Sequence, residues 1–216
     1  MLRNESGIAL VLAIALATIL GVLGAAVALT AQMETLISGR FEQGRELAYA
    51  ADGALAMAFA ELGSTDWTPA LGGAVSSFTD GDPATAHRIP GIGTVALCCG
   101  AGSLTVAVEQ AANAGRAWGP NTPRWTLYAW GPVAFWLPGD AIRAPFYVAV
   151  WIADDPSDGD GNPAVDSNKV IDLYTVVLGP GGGRRSLRAL AARPLDADGE
   201  PLVQGIRLLS WHETRW

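Results

Sequence analysis

The feature that most limits what this chain can become is an uncharged apolar run from Ile8 to Ala31. It is built from Ala, Leu, Ile and Val, broken only by Thr18, Gly21, Gly24 and Thr30. As a helix rising ~1.5 Å per residue, a run of about 24 residues crosses a ~30 Å hydrocarbon layer. Ahead of it lies a short polar leader, Met1 to Gly7, in which Glu5 partly offsets Arg3. The single basic residue is a weak signal that places the N-terminus in the cytoplasm. Three fates fit such a run: a cleaved secretion signal, a permanent membrane anchor, or an assembly helix. A secretion signal has an apolar stretch of roughly 7–15 residues before a small-residue cleavage site. This run is longer, although Ala26-Val27-Ala28 has the composition of such a site.

The residues that follow separate these fates. Met33, Leu36, Ile37, Phe41, Leu47, Ala48, Ala51, Leu55, Ala58 and Leu62 recur mostly at steps of three or four. Glu34, Arg40, Glu42, Arg45, Glu46 and Glu61 fall largely between them. That spacing predicts an amphipathic helix. With no proline before Pro69, one helix is expected from Ile8 to Leu62, about 80 Å long. Gly63 is placed to end it as a left-handed cap. Gly21 and Gly24 let neighbouring helices approach closely, as small residues do in membranes. The expected organisation is a leader over 1–7, a membrane or packing helix over 8–31, its amphipathic continuation over 32–63, and a β-rich globular domain over 64–216.

The order of these parts resembles a type IV prepilin. Gly7-Ile8-Ala9-Leu10-Val11-Leu12, then Glu34 to Arg40, then Leu47-Ala48-Tyr49-Ala50-Ala51-Asp52-Gly53-Ala54-Leu55, is similar to the N-terminal region of the PilX family of minor pilins. The likeness covers about the first 60 residues. It implies a fold in which the long helix packs on an antiparallel sheet. It implies that a prepilin peptidase cuts between Gly7 and Ile8 and that the new amine on Ile8 is methylated. The partners implied are that peptidase, the inner membrane, and other pilins met through the helix, where Leu12, Gly21, Gly24 and Glu34 would pack. The location implied is a single pass of the inner membrane with a periplasmic domain, then the pilus or cell surface. One position departs from the pattern of major pilins: the fifth residue after the cut is Leu12, where they carry a glutamate. In an apolar filament core that acid pairs with a neighbour's amine, because an unpaired charge there is costly. Leu12 points to an initiating or tip subunit, or is tolerated within the shaft. A second reading is a single-pass anchored extracytoplasmic binding domain with Trp-rich loops.

The remainder is rich in Gly and Pro, the punctuation of a domain with many turns. The net charge of −7 does not favour a nucleic-acid partner. Residues 63–90 read as a loop. Gly93–Cys98 and Ser103–Glu109 flank Gly100-Ala101-Gly102 and predict a hairpin. Strands are also expected at Arg124–Trp130, Pro145–Ile152, Lys169–Leu178, Ser186–Arg193 and Val203–Trp211, from their β-branched and aromatic content. A Pro-rich bend is expected between Gly131 and Gly139. The fold class expected is α+β, with four to six antiparallel strands.

Two stretches carry candidate chemistry. Cys98 and Cys99, the only cysteines, are no disulfide framework; a vicinal bond, two thiols or a bond to another chain are all open. The second stretch is Asp154 to Asn168. Asp158, Asp160 and Asn162 alternate like the first three ligands of a calcium loop, and Asp166 falls at the ninth position. Pro163 stands where such a loop has glycine, and Lys169 where it has a bidentate glutamate. An irregular calcium site using Asp155, Asp158, Asp160, Asn162 and Asp166 competes with a solvated acidic turn. His87 and His212 belong to no recognisable catalytic or metal-ligand spacing, and no enzymatic motif emerges.

Overall fold

The computed structural model describes residues 5–114, 119–136 and 145–214. Its first element, α1, is one helix from Glu5 to Ser64. By contacts the chain divides into two units, Met1–Gln43 and Gly44–Trp216. In the first, the apolar side chains from Ile8 to Leu29 are exposed, as are Met33, Leu36, Ile37 and Phe41. Thr18 and Thr30 donate their hydroxyls to the carbonyls of Ala15 and Ala26, which satisfies them within the helix.

In the second unit the C-terminal part of α1 packs on a five-stranded antiparallel sheet, an α+β arrangement. The strands are β3 (Thr126–Pro132), β4 (Tyr147–Asp154), β5 (Val170–Leu178), β6 (Arg184–Ala192) and β7 (Arg207–Glu213), paired in chain order. Strand residues alternate between faces, and β4 divides its side chains accordingly. Val148, Val150 and Ile152 join Leu47, Ala51, Leu55, Ala58 and Leu62 of α1 in one buried cluster. Tyr147, Ala149, Trp151 and Ala153 line the other face. That face is covered by α3 (Leu104–Asn113), which contributes Val108 and Ala112. Ile89 joins the same cluster from β1 (Ala86–Ile89), which pairs with β2 (Gly93–Ala96). Two short helices, α2 (Thr68–Leu71) and α4 (Val133–Trp136), add Ala70, Leu71, Val133 and Trp136 to the α1 face.

Several expectations change. The hairpin expected over Gly93–Glu109 is not formed. β2 pairs backward with β1, and Ser103 caps α3 by accepting a hydrogen bond from the Val106 N–H. The β-branched character of Leu-Thr-Val-Ala-Val yields to burial of Val108 and Ala112, four residues apart on one helix face. Cys98 and Cys99 are joined in a vicinal disulfide, with Cys99 in the left-handed region at φ 72°. Gly63 is no left-handed cap: α1 runs one residue past it, and the Gly63 carbonyl accepts from the Gly205 N–H at 2.7 Å. The stretch read as loop holds α2 and β1. β3 extends through Pro132 into α4, and residues 137–139 of the expected bend lie outside the described residues. β7 starts later than expected, at Arg207.

Two charged side chains tie the sheet to its surroundings through hydrogen bonds. Arg188 of β6 donates from Nε and Nη2 to Asp172 of β5, and from Nη1 to the Ala112 carbonyl near the end of α3. Glu61 of α1 accepts from the Ser76 hydroxyl, the Ser77 N–H and the Tyr128 hydroxyl. Burial raises the Glu61 carboxyl, but these donors outweigh it and hold it below its ordinary value.

Candidate functional site

The acidic stretch leaves β4 at Asp154 and returns into β5 at Val170. One carboxylate oxygen from each of Asp154, Asp158 and Asp160 lies within 4.8 Å of the others. Asp154 and Asp158 are buried, whereas Asp160 is exposed. Asp154 closes a strand whose eight residues are all buried, and this fixes its backbone. Asn121 reaches the same place from the chain ahead of β3. Its amide donates to Asp154 Oδ2 and to the Asp155 carbonyl. The approach depends on Gly119, at φ 133°: a Cβ there would lie 2.6 Å from the Pro156 carbonyl oxygen.

The five residues expected to form a calcium site separate into two groups. Asp158 and Asp160 are in the cluster. Asp158 is oriented by the N–H groups of Asp160, Ser167 and Asn168 and by the Ser167 hydroxyl. Burial raises its carboxyl, and these donors pull it below the ordinary value. Asp160 accepts from the Asn162 N–H at 2.7 Å. Asn162 turns its own side-chain oxygen to the Ala164 N–H. Asp155 and Asp166 hold the loop to its surroundings instead. Asp155 accepts from the Ser157 N–H and hydroxyl and from the Asn168 amide. Asp166 accepts the Trp67 indole N–H at 2.6 Å and the Val170 N–H at 3.1 Å. Trp67, just after α1, also carries the Arg193 guanidinium 3.8 Å above its ring. The loop is therefore anchored to the end of α1 through Asp166.

The residue missed by the calcium-loop spacing is Asp154. It opens the acidic stretch, one position before the expected set, and in the fold it closes β4, two residues beyond the expected end of that strand. Asn121 is more than thirty residues away and carries no local signal. The electrostatics of Asp154 are the most perturbed in the loop. Burial and then the neighbouring Asp158 charge push its carboxyl up to about 7. Its Oδ1 is buried and has no hydrogen-bond partner among the described residues, and the same holds for Asn121 Oδ1. The three carboxylates form an all-oxygen donor set, the kind that hard divalent cations take, and the Asn121 amide holds one of them.

The other sequence-selected positions lie on the first part of α1. Gly7, Ile8, Leu12 and Glu34 are exposed helical residues, and a Cβ added at Gly21 or Gly24 would meet nothing within 4 Å. The helix is long and apolar enough to cross a membrane. His87 contacts Asp80, the Asp82 carbonyl and the Tyr147 hydroxyl beside a cavity of about 440 Å³. In comparisons with models of known protein families, with curated proteins and with solved structures, this chain matches none.

Proposed function

We propose that this chain is a minor pilin or pseudopilin, a structural subunit rather than an enzyme, that helps to initiate, prime or cap a type IV or type II secretion-like filament. The observation that carries the reading is the exposed apolar surface of Ile8 to Leu29 on a helix that continues unbroken to Ser64. An apolar helix of this length is favourably covered by lipid or by other helices of its kind, since its backbone is already satisfied internally. One surface thus serves two states: membrane residence before assembly, and helix packing after it. The resemblance at Gly7-Ile8 and at Leu47 to Leu55 supports this over a plain anchor. Leu12, in place of an acid, favours an initiating or tip position over the shaft. The domain would then lie on the periplasmic side before assembly.

The mature N-terminus tests the proposal. Intact-mass and peptide mass spectrometry of the chain produced together with a prepilin peptidase should find a start at Ile8 with a methylated amine. A start at Met1 would identify a permanent single-pass anchor, and a start after Ala28 a secreted domain; either sinks the pilin reading.

A further inference from the structure

We infer that Asp154, Asp158 and Asp160, with the side-chain oxygen of Asn121, hold a divalent cation of calcium size at the end of β4. The site is independent of the pilin reading and differs from the regular calcium-loop pattern in its ligands. Proximity of carboxylates alone would mean little, because acidic turns are common on surfaces. Two buried acceptors without partners make the difference. Asp154 is fully buried, yet its Oδ1 has no donor among the described residues. Asn121 is equally buried; its amide nitrogen is spent on Asp154 and the Asp155 carbonyl, and its Oδ1 is likewise without a donor. An orphaned buried acceptor loses its hydration without compensation, and the loss is greater when it is charged. Two such acceptors, on residues hydrogen-bonded to each other and beside further carboxylates, ask for a cation.

The donor set favours calcium. Calcium takes six to eight oxygens, carboxylates and amide carbonyls among them, whereas magnesium keeps several waters and usually takes one or two carboxylates. Three carboxylate oxygens within 4.8 Å of one another suit the former. Asp154 and Asn121 supply a rigid floor, and Asp160 closes the site from the exposed side. Asp158 is braced by donors from Ser167 and Asn168, so the loop is shaped before an ion arrives. The anchoring of Asp166 to Trp67 then links the ion's loop to the end of α1.

The test is thermal unfolding of the full chain in detergent, followed by Trp fluorescence, with calcium chloride, magnesium chloride or chelator, alongside equilibrium dialysis with radioactive calcium. Calcium should raise the melting temperature and be retained at one ion per chain. Asp160→Asn alters an exposed position and leaves the fold intact; it should weaken binding at least about tenfold. Asp154→Asn keeps the shape and the acceptor for Asn121. It should melt no lower than the native chain in chelator, yet lose the calcium response, a combination that a merely structural aspartate would not give. Asp198→Asn, in a different acidic turn, should respond as the native chain does. Absence of both a shift and retained calcium overturns the site, as does an undiminished response in Asp154→Asn and Asp160→Asn. An equal response to magnesium overturns the choice of ion.

Discussion

Arg188 shows how one residue can decide the chemistry of a whole sheet face. Its guanidinium meets both oxygens of Asp172, with Nη2 at 2.5 Å and Nε at 2.8 Å from Oδ2, and lies over the Trp125 ring. Burial drives the Asp172 carboxyl up to about 6, and the two-pronged donation from Arg188 is what limits the rise. A group raised from 3.8 to about 6 in the fold contributes stability that is fully present below 3.8 and is lost as pH rises through about 6. Arg188→Met leaves the carboxylate buried and unpaired, at a cost of about 3–5 kcal/mol at neutral pH. The upper edge of the titration window also moves higher, so the loss relative to the native chain should shrink as pH falls toward about 4.5. Urea midpoints of the full chain in detergent at the two pH values measure this. An equal loss at both would show that packing against Trp125, not charge, is what Arg188 provides. At the same scale, Asp166 had the right spacing for a metal ligand and serves instead as an acceptor for Trp67. Spacing ranks oxygens by sequence position; which donor occupies each oxygen is settled by residues that are distant in sequence.

At the scale of elements, α1 carries two environments on one helix. Leu55 is 4% exposed and packs against the sheet, while Leu36, some five turns earlier, is 66% exposed. Leu55→Ala should cost about 2–5 kcal/mol of domain stability through lost contacts and a cavity. Leu36→Ala should change it by less than about 0.5 kcal/mol. Chemical denaturation of both variants checks the pair; similar losses would mean that the exposed stripe is covered within one chain. This helix was legible in the sequence because its signal is long, free of proline and periodic, so no tertiary contact was needed to read it. β4, β5 and β6 were legible for a related reason: dense β-branched and aromatic runs buried on both faces. α3 was not legible. Leu104 to Val108 has strand-like composition, and what makes it helical is the Ser103 cap together with burial of Val108 and Ala112 beneath the sheet. The cation site was half legible. Asp158 and Asp160 declared themselves by alternation, whereas Asp154 lies outside the calcium-loop spacing at the end of β4 and Asn121 enters only through the fold.

For the whole molecule, the division after Gln43 has an energetic meaning. The unit Gly44–Trp216 contains both buried clusters, on opposite faces of one sheet, so loss of the sheet exposes both together. Such a unit should unfold cooperatively. The apolar residues of the first unit take no part in those clusters; in a detergent solution a micelle would cover them, and denaturant acts on that cover differently from a protein core. All eight tryptophans lie beyond residue 64, so their fluorescence reports the domain alone. Far-ultraviolet circular dichroism also reports the helix from residue 5 to residue 43. Urea titration of the full chain in micelles should therefore give a single fluorescence transition, while a substantial helical signal persists beyond it. If the helical signal vanished in that same transition, the first part of α1 would depend on the domain for its structure. The apolar run would then be a strut of a single molecule, and a helix that stands in lipid or among its own kind would no longer describe it.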